Sequence, residues 1–228
     1  SPAQAQLTLP ADSSLSVEGP VSIDITPPEV VRLELSDTAL SAGETATVTV
    51  ELSEAVQQFS KQYVSVEQGV LSSFDSEDGL IWTATYTPFG GVSALDQVIR
   101  LDRSQLSDLA GNQGSGESRS VSYQLDSKHP TVEITSDTAG ATKMPVRFVL
   151  TFSENVLGFD PMNPAHVVIE GGTLESWSIE TPDNSGRPEG VYSFIVTPDA
   201  NSISPIKVRV PEGVVSDAAG NANARSLV

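Results

Sequence analysis

An all-β chain of two tandem antiparallel β-sandwich domains is predicted by three features of this 228-residue sequence. Apolar and polar residues alternate with a period of two, as half-buried strands require. The pattern recurs at a nearly constant offset, as a duplicated unit requires. No segment has the spacing of a convincing amphipathic helix; the one candidate turn, Leu52 to Tyr63, has irregular apolar positions.

The duplication is visible residue by residue. Asp24-Ile-Thr-Pro-Pro28 answers to Asp126-Ser-Lys-His-Pro130, and Ser36-Asp37-Thr38 to Ser136-Asp137-Thr138. Leu52-Ser53-Glu54-Ala55-Val56 matches Phe152-Ser153-Glu154-Asn155-Val156, and Thr87-Pro88 matches Thr197-Pro198. The closest match is Ser107-Asp108-Leu-Ala-Gly111-Asn112 against Ser216-Asp217-Ala-Ala-Gly220-Asn221. Offsets between anchors run from 100 to 110 residues, the drift that loop insertions produce in two copies of one domain. Domain 1 is therefore placed at residues 24–125 and domain 2 at 126–228. Residues 1–23 are read as a linker ending in the remnant of a preceding unit, because Val21-Ser-Ile-Asp24 resembles Tyr123-Gln-Leu-Asp126.

In chain order, the expected strands of the first copy are Val30–Leu35, a strand bearing Ala46, Val48, Val50 and Leu52 on one face, Tyr63–Val66, Val70–Phe74, one bearing Trp82, Ala84 and Tyr86, Val98–Leu101 and Ser120–Leu125. The second copy repeats two of the faces, with Val146, Phe148, Leu150 and Phe152, and with Tyr192, Phe194 and Val196. Seven short strands between turn residues describe a sandwich.

Composition excludes several function classes. With 30 Asp and Glu against 12 Lys and Arg, the formal charge is −18, which repels nucleic acid and anionic membrane surfaces. Apolar runs such as Val146–Phe152 fall far short of the roughly 20 residues that span a bilayer, so no membrane insertion is expected. The chain has no cysteine, hence no disulfide, thiolate zinc site or Cys nucleophile. Its two histidines, His129 and His166, lack a serine partner pattern for a hydrolytic triad. Glu77-Asp78 offers paired carboxylates but no cleft, and Trp82 and Trp177 read as core or strand-edge aromatics. No enzyme is expected.

Chain parity locates the acidic motifs. If each strand, lettered A to G, reverses the last, the entry linker, the B–C loop and the F–G loop share one pole. Asp24, Glu54, Asp108 and Asn112 then meet at the tip of domain 1, and Asp126, Glu154, Asp217 and Asn221 at the tip of domain 2. Taken singly, Asp-x-x-Gly-Asn builds a tight turn, Ser-Glu is a solvated pair and Asp-x-x-x-Pro is an extended linker. Together, twice, they form an all-oxygen, carboxylate-rich set suited to a hard cation, and loop ligands suit calcium better than magnesium. Because Asp126 sits between the domains, an ion there would stiffen the joint.

Asp-x-x-x-Pro, Ser-Glu-x-Val and Asp-x-Ala-Gly-Asn in this order resemble the bacterial Ig-like repeats of large secreted and RTX-type adhesins, over residues 24–228. The resemblance implies two Ig-like sandwiches, export to the surface of a Gram-negative bacterium, and a stalk role with Ca2+ at domain junctions. It implies that the linker Asp, the B–C Glu and the F–G Asp are the calcium ligands. Two departures stand out: Ser127-Lys128-His129 replaces a Thr-rich linker, and the first B–C loop lacks the Gly-Phe-Asp of Gly158–Asp160.

The expected function is that of an extender in a cell-surface adhesin. Its partners are the neighbouring repeats of the same chain, with a host-cell or biofilm ligand reached through other modules, and the chain is expected to be a monomer. The alternatives are a glycan- or host-protein-binding module and an accessory domain of a secreted hydrolase.

Overall fold

The computed structural model describes residues 23–140, 142–179, 190–201 and 203–226. The expected linker and strand remnant at residues 1–22 lie outside that set.

Alternating Val, Leu and Thr residues give strands because β-branched side chains pack well on a pleated surface with one face buried. In domain 1 these are β1 (Val30–Leu35), β2 (Ala39–Ser41), β3 (Ala46–Leu52), β4 (Val64–Ser65), β5 (Gly69–Leu71), β6 (Ile81–Pro88), β7 (Ser93–Gln97), β8 (Arg100–Asp102), β9 (Glu117–Arg119) and β10 (Tyr123–Asp126). One sheet runs β1-β3-β6-β5. The other face is built from β4-β8-β9 and from β2-β10-β7, with β10 parallel to β2 and antiparallel to β7. Domain 2 contains β11 (Val132–Ser136), β12 (Val146–Phe152), β13 (Val168–Glu170), β14 (Gly172–Ile179), β15 (Val191–Pro198) and β16 (Lys207–Arg209), in sheets β11-β12-β15-β14 and β13-β16. The only helical turns among the described residues are two three-residue 3-10 turns, Lys61–Tyr63 and Arg103–Gln105.

Each domain has its own core. Val48, Val50, Tyr86, Ile99, Leu101 and Leu106 are fully buried in the first, and Leu150, Val196 and Val210 in the second. Trp82 belongs to the first core's rim: its ring stacks on Phe59 and its Nε1 donates to the Gly79 carbonyl at 3.0 Å. Trp177 lies on the outward part of β14 and is 39 % exposed.

The structure corrects several expected strand limits. Expected Tyr63–Val66 begins as a 3-10 turn, because the Ser60 hydroxyl accepts the Gln62 N–H and caps it. Expected Val98–Leu101 is displaced: β7 ends at Gln97 after Asp96 takes a positive φ of 56°, and pairing resumes as β8. Expected Ser120–Leu125 starts at Tyr123, because Ser120 exchanges bonds with Ile99 through both its N–H and its hydroxyl, and so separates β9 from β10. Strand β2 has too little sequence to announce itself and exists through its pairing with β10.

Leu125 in β10 is 1 % exposed and sits opposite Leu40 and Ala94. Leu125→Ala is expected to destabilise domain 1 by about 2–5 kcal/mol, the range for a buried Leu that leaves a cavity. Denaturant unfolding should show the first domain's transition moving and the second's unchanged.

Candidate metal centre

Three chain segments meet at the entry pole of each domain, and backbone pairing explains why. In domain 1 the Ser53 hydroxyl accepts the Glu29 N–H at 2.9 Å while Ser53 N–H donates to the Glu29 carbonyl, clamping the entry linker to the B–C loop. The B–C loop is bridged to the F–G loop by Val56 opposite Asp108 and by Gln57 N–H to the Ser107 carbonyl. Domain 2 repeats the device: Ser153 clamps Thr131, and Leu157 bridges Ser216. The serine of the Ser-Glu motif thus positions the glutamate that follows it.

The F–G turn fixes the aspartate. Asp108 N–H donates to the Asn112 carbonyl, and Asn112 N–H returns to Asp108 Oδ1 at 2.7 Å. Gly111 closes the turn with φ at 94°, a left-handed conformation that glycine adopts without steric cost. Asp217, Gly220 (φ 90°) and Asn221 reproduce this arrangement in domain 2.

The result is two carboxylate triads. Oxygens of Asp24, Glu54 and Asp108 lie within 4.8 Å of one another, as do those of Asp126, Glu154 and Asp217. In each, the F–G aspartate is buried (Asp108 1 %, Asp217 3 % exposed) and the glutamate is half-buried. Such a grouping of like charge is unfavourable unless protons or a cation intervene. Burial, followed by the charges of Asp24 and Asp108, pushes the Glu54 carboxyl above its usual value. Burial and then Asp217 and Asp126 do the same to Glu154, against a weaker opposing effect of Lys128. Glu154 Oε1 is buried with no hydrogen-bond partner. Asp108 behaves differently: burial works against its charge, but hydrogen bonds from the Asn112 side chain and from the Asn112, Gly111 and Ala110 backbone prevail and hold the carboxyl below its usual value.

The two asparagines join the clusters as donors. Asn112 Nδ2 donates to Asp108 Oδ2 and to the Asp24 carbonyl, at 2.8 and 3.2 Å. Asn221 Nδ2 donates to Asp217 Oδ2 and the Asp126 carbonyl, at 2.9 and 2.8 Å. Asn221 Oδ1 accepts the Ala42 N–H of domain 1 at 2.7 Å, so this side chain spans the joint. Sequence reasoning missed Ala42, whose contribution is a backbone group. It also missed Ser127, which is 3 % exposed and secures the linker to domain 1: its hydroxyl donates to the Phe89 carbonyl and accepts the Val92 N–H, and its own N–H reaches the Val92 carbonyl at 2.7 Å. His129 Nδ1 lies 2.9 Å from the Ala222 carbonyl of domain 2. His166 Nδ1 accepts the Asp160 N–H, which occupies both residues at the loop base.

The donors in each triad are hard oxygens, from loop residues except for Asp126 at the end of β10, and Glu154 Oε1 is buried without a hydrogen-bond partner. That chemistry fits a divalent cation of the calcium type.

A family model described as a bacterial Ig-like domain matches residues 24–125 and again 126–227. No curated protein matches the chain.

In chelator, Glu54 and Glu154 bind their protons more tightly folded than unfolded. Stability is therefore expected to fall as pH rises from about 4.5 through their raised folded values, and to level off above them. Glu154→Gln should flatten that slope for domain 2 and raise its melting temperature in EGTA near neutral pH. Thermal unfolding across a pH series checks both; a variant that melts lower than wild type in EGTA would contradict the repulsion.

Proposed function

The chain belongs to the bacterial Ig-like domain family, and from that premise we propose that it is a non-enzymatic extender segment of a bacterial cell-surface adhesin, stiffened by calcium at its domain joints. Tandem Ig-like domains suggest a surface-protein module. The observation that supports the extender reading is that Asp126, the last residue of β10 where the chain leaves domain 1, shares a triad with two loops of domain 2. An ion held by Asp126, Glu154 and Asp217 would fix the linker to the second bead. Hydrogen bonds of Ser127 already fix it to the first. Asp24, Glu54 and Asp108 would do the same at the joint with whatever precedes domain 1. The asparagines, bonded to the carboxylates through their amide nitrogens, would aim the ligands.

Calcium supplies charge neutralisation here; the chain's own residues supply the geometry. Extracellular modules bind calcium at about 10⁻⁴ to 10⁻³ M, close to its level outside cells. A site at a hundredfold excess of ion over its Kd gains about 2.7 kcal/mol. For domains of this size that corresponds to a rise of roughly 10–20 °C in melting temperature.

Small-angle scattering and limited proteolysis, with calcium and then with EGTA, test the proposal. The expected result is an extended, narrowly distributed envelope in calcium that broadens in EGTA, with new cleavage near Ser127-Lys128. Identical envelopes and cleavage patterns in both conditions would contradict it. Ser127→Ala should weaken domain 1's hold on the linker by about 1–3 kcal/mol, the cost of leaving the Val92 N–H and its neighbours unsatisfied. Its scattering in calcium should shift toward that of the EGTA state.

A further inference from the structure

Two rigid bodies joined by one linker can still rotate about it, so the angle between them is set by a contact away from the linker. Here the linker is bonded to both domains. The Ser127 hydroxyl engages the Phe89 carbonyl and the Val92 N–H of domain 1, and His129 Nδ1 lies 2.9 Å from the Ala222 carbonyl of domain 2. Both attachments are on the linker itself. Packing does not fill the joint either: a cavity of about 280 Å³ lies among Gly43, Glu44, Phe89, Ser127 and His129.

The bond from Ala42 to Asn221 crosses between the domains away from the linker, joining residues 179 apart in the chain. A built turn presents Ala42. The Glu44 N–H donates to the Ser41 carbonyl at 3.2 Å and Gly43 has a φ of 80°, the pattern of a type II turn with Ala42 at its first central position. Glu44 fastens the turn a second time, its Oε2 accepting the Ser41 N–H and hydroxyl at 2.8 and 2.7 Å.

Asn221 has little freedom to turn away. It is 3 % exposed, and its partners fix the direction of its amide: Nδ2 donates to Asp217 Oδ2 and to the Asp126 carbonyl, both acceptors, while Oδ1 faces the Ala42 N–H, a donor. Asp217 and Asp126 are two members of the domain 2 triad, and Asp126 also ends β10. One buried amide therefore ties the triad, the end of β10 and the Ser41–Glu44 turn into a single arrangement.

We propose that the Ser41–Glu44 turn of domain 1 is the docking surface for Asn221 of domain 2, that this contact sets the angle between the domains, and that it couples that angle to the domain 2 triad. The coupling to an ion rests on the calcium reading above; the docking contact does not. Coupling of binding free energies is reciprocal. An ion that holds Asp217 and Asp126 where Asn221 reaches Ala42 is itself held more tightly, by the same factor, when the Ala42 N–H is there. Ala42 is then a positioning residue for the site, acting from the neighbouring domain through Asn221.

Ala42→Pro tests this. Proline suits the first central position of a type II turn and removes the N–H without changing a triad residue. Ala42→Ser keeps the N–H and is the control. The chain has no cysteine, so spin labels introduced at Thr85→Cys and Glu170→Cys, both exposed positions, report the distance between the domains. In calcium, wild type and Ala42→Ser should each give a narrow distance distribution, and Ala42→Pro a broad one. Calorimetric titration with Ca2+ should show Ala42→Pro weakening one site about fivefold or more, the low end of ordinary coupling, and leaving the other unchanged. Asn221→Ala removes the same contact from the other side and should broaden the distribution alike, a readout that stands even if Ala42→Pro misfolds. Distributions as narrow in these two variants as in wild type, or a wild type as broad as the variants, overturn the docking contact. Broadening with every calcium affinity unchanged overturns the coupling. A wild type that binds no calcium removes the calcium reading instead, and the same distributions in plain buffer then decide the docking contact.

Discussion

Mutual repulsion among three carboxylates held within 4.8 Å governs the entry pole of each domain. Nothing in a sandwich fold requires acidic side chains to converge there, and solvent would separate them if the backbone allowed. The backbone does not: Ser53 and Ser153 clamp the linker, the bridges at Val56 and Leu157 tie loop to loop, and the Asp-x-x-Gly-Asn turn holds its aspartate from several N–H groups. The cost falls on the glutamates, whose carboxyls are pushed up by burial first and by the neighbouring aspartates second, while Asp108 keeps its charge through hydrogen bonds. The repulsion is built twice, from the same three segments, and the proposed cation would relieve it at both poles.

From that constraint the joint acquires its character. Asp126 follows the last residue of β10 that is buried in domain 1 and also belongs to domain 2's triad, so a single residue couples one domain's sheet to the other's loops. Ser127 reinforces the first attachment, and Asn221, by accepting the Ala42 N–H, reinforces the second without passing through the linker. Stiffness in the proposed stalk would therefore come from the ion acting on a linker already bonded on both sides.

Much of this was legible in the sequence, for identifiable reasons. The limits of β1 and the face of β3 followed from clean period-two alternation, and the convergence of Asp24, Glu54 and Asp108 followed from strand parity, which survives errors in strand limits. Less legible were features that depend on backbone groups. The Ala42 N–H carries no side-chain signature, and Ser127 read as a departure from a linker pattern although it is the residue that secures the linker. The break between β7 and β8 comes from a positive φ at Asp96, which a polar residue in a strand does not announce. The asparagines lie in the F–G turns as the motif indicates, but the direction of the Asn221 amide depends in part on the Ala42 N–H across the joint.

The most direct test of the account is anomalous diffraction from crystals of this chain grown in calcium. One peak among Asp24, Glu54 and Asp108, and a second among Asp126, Glu154 and Asp217, is the predicted result. Carboxylates turned apart into solvent, with no peak at either pole, would contradict it.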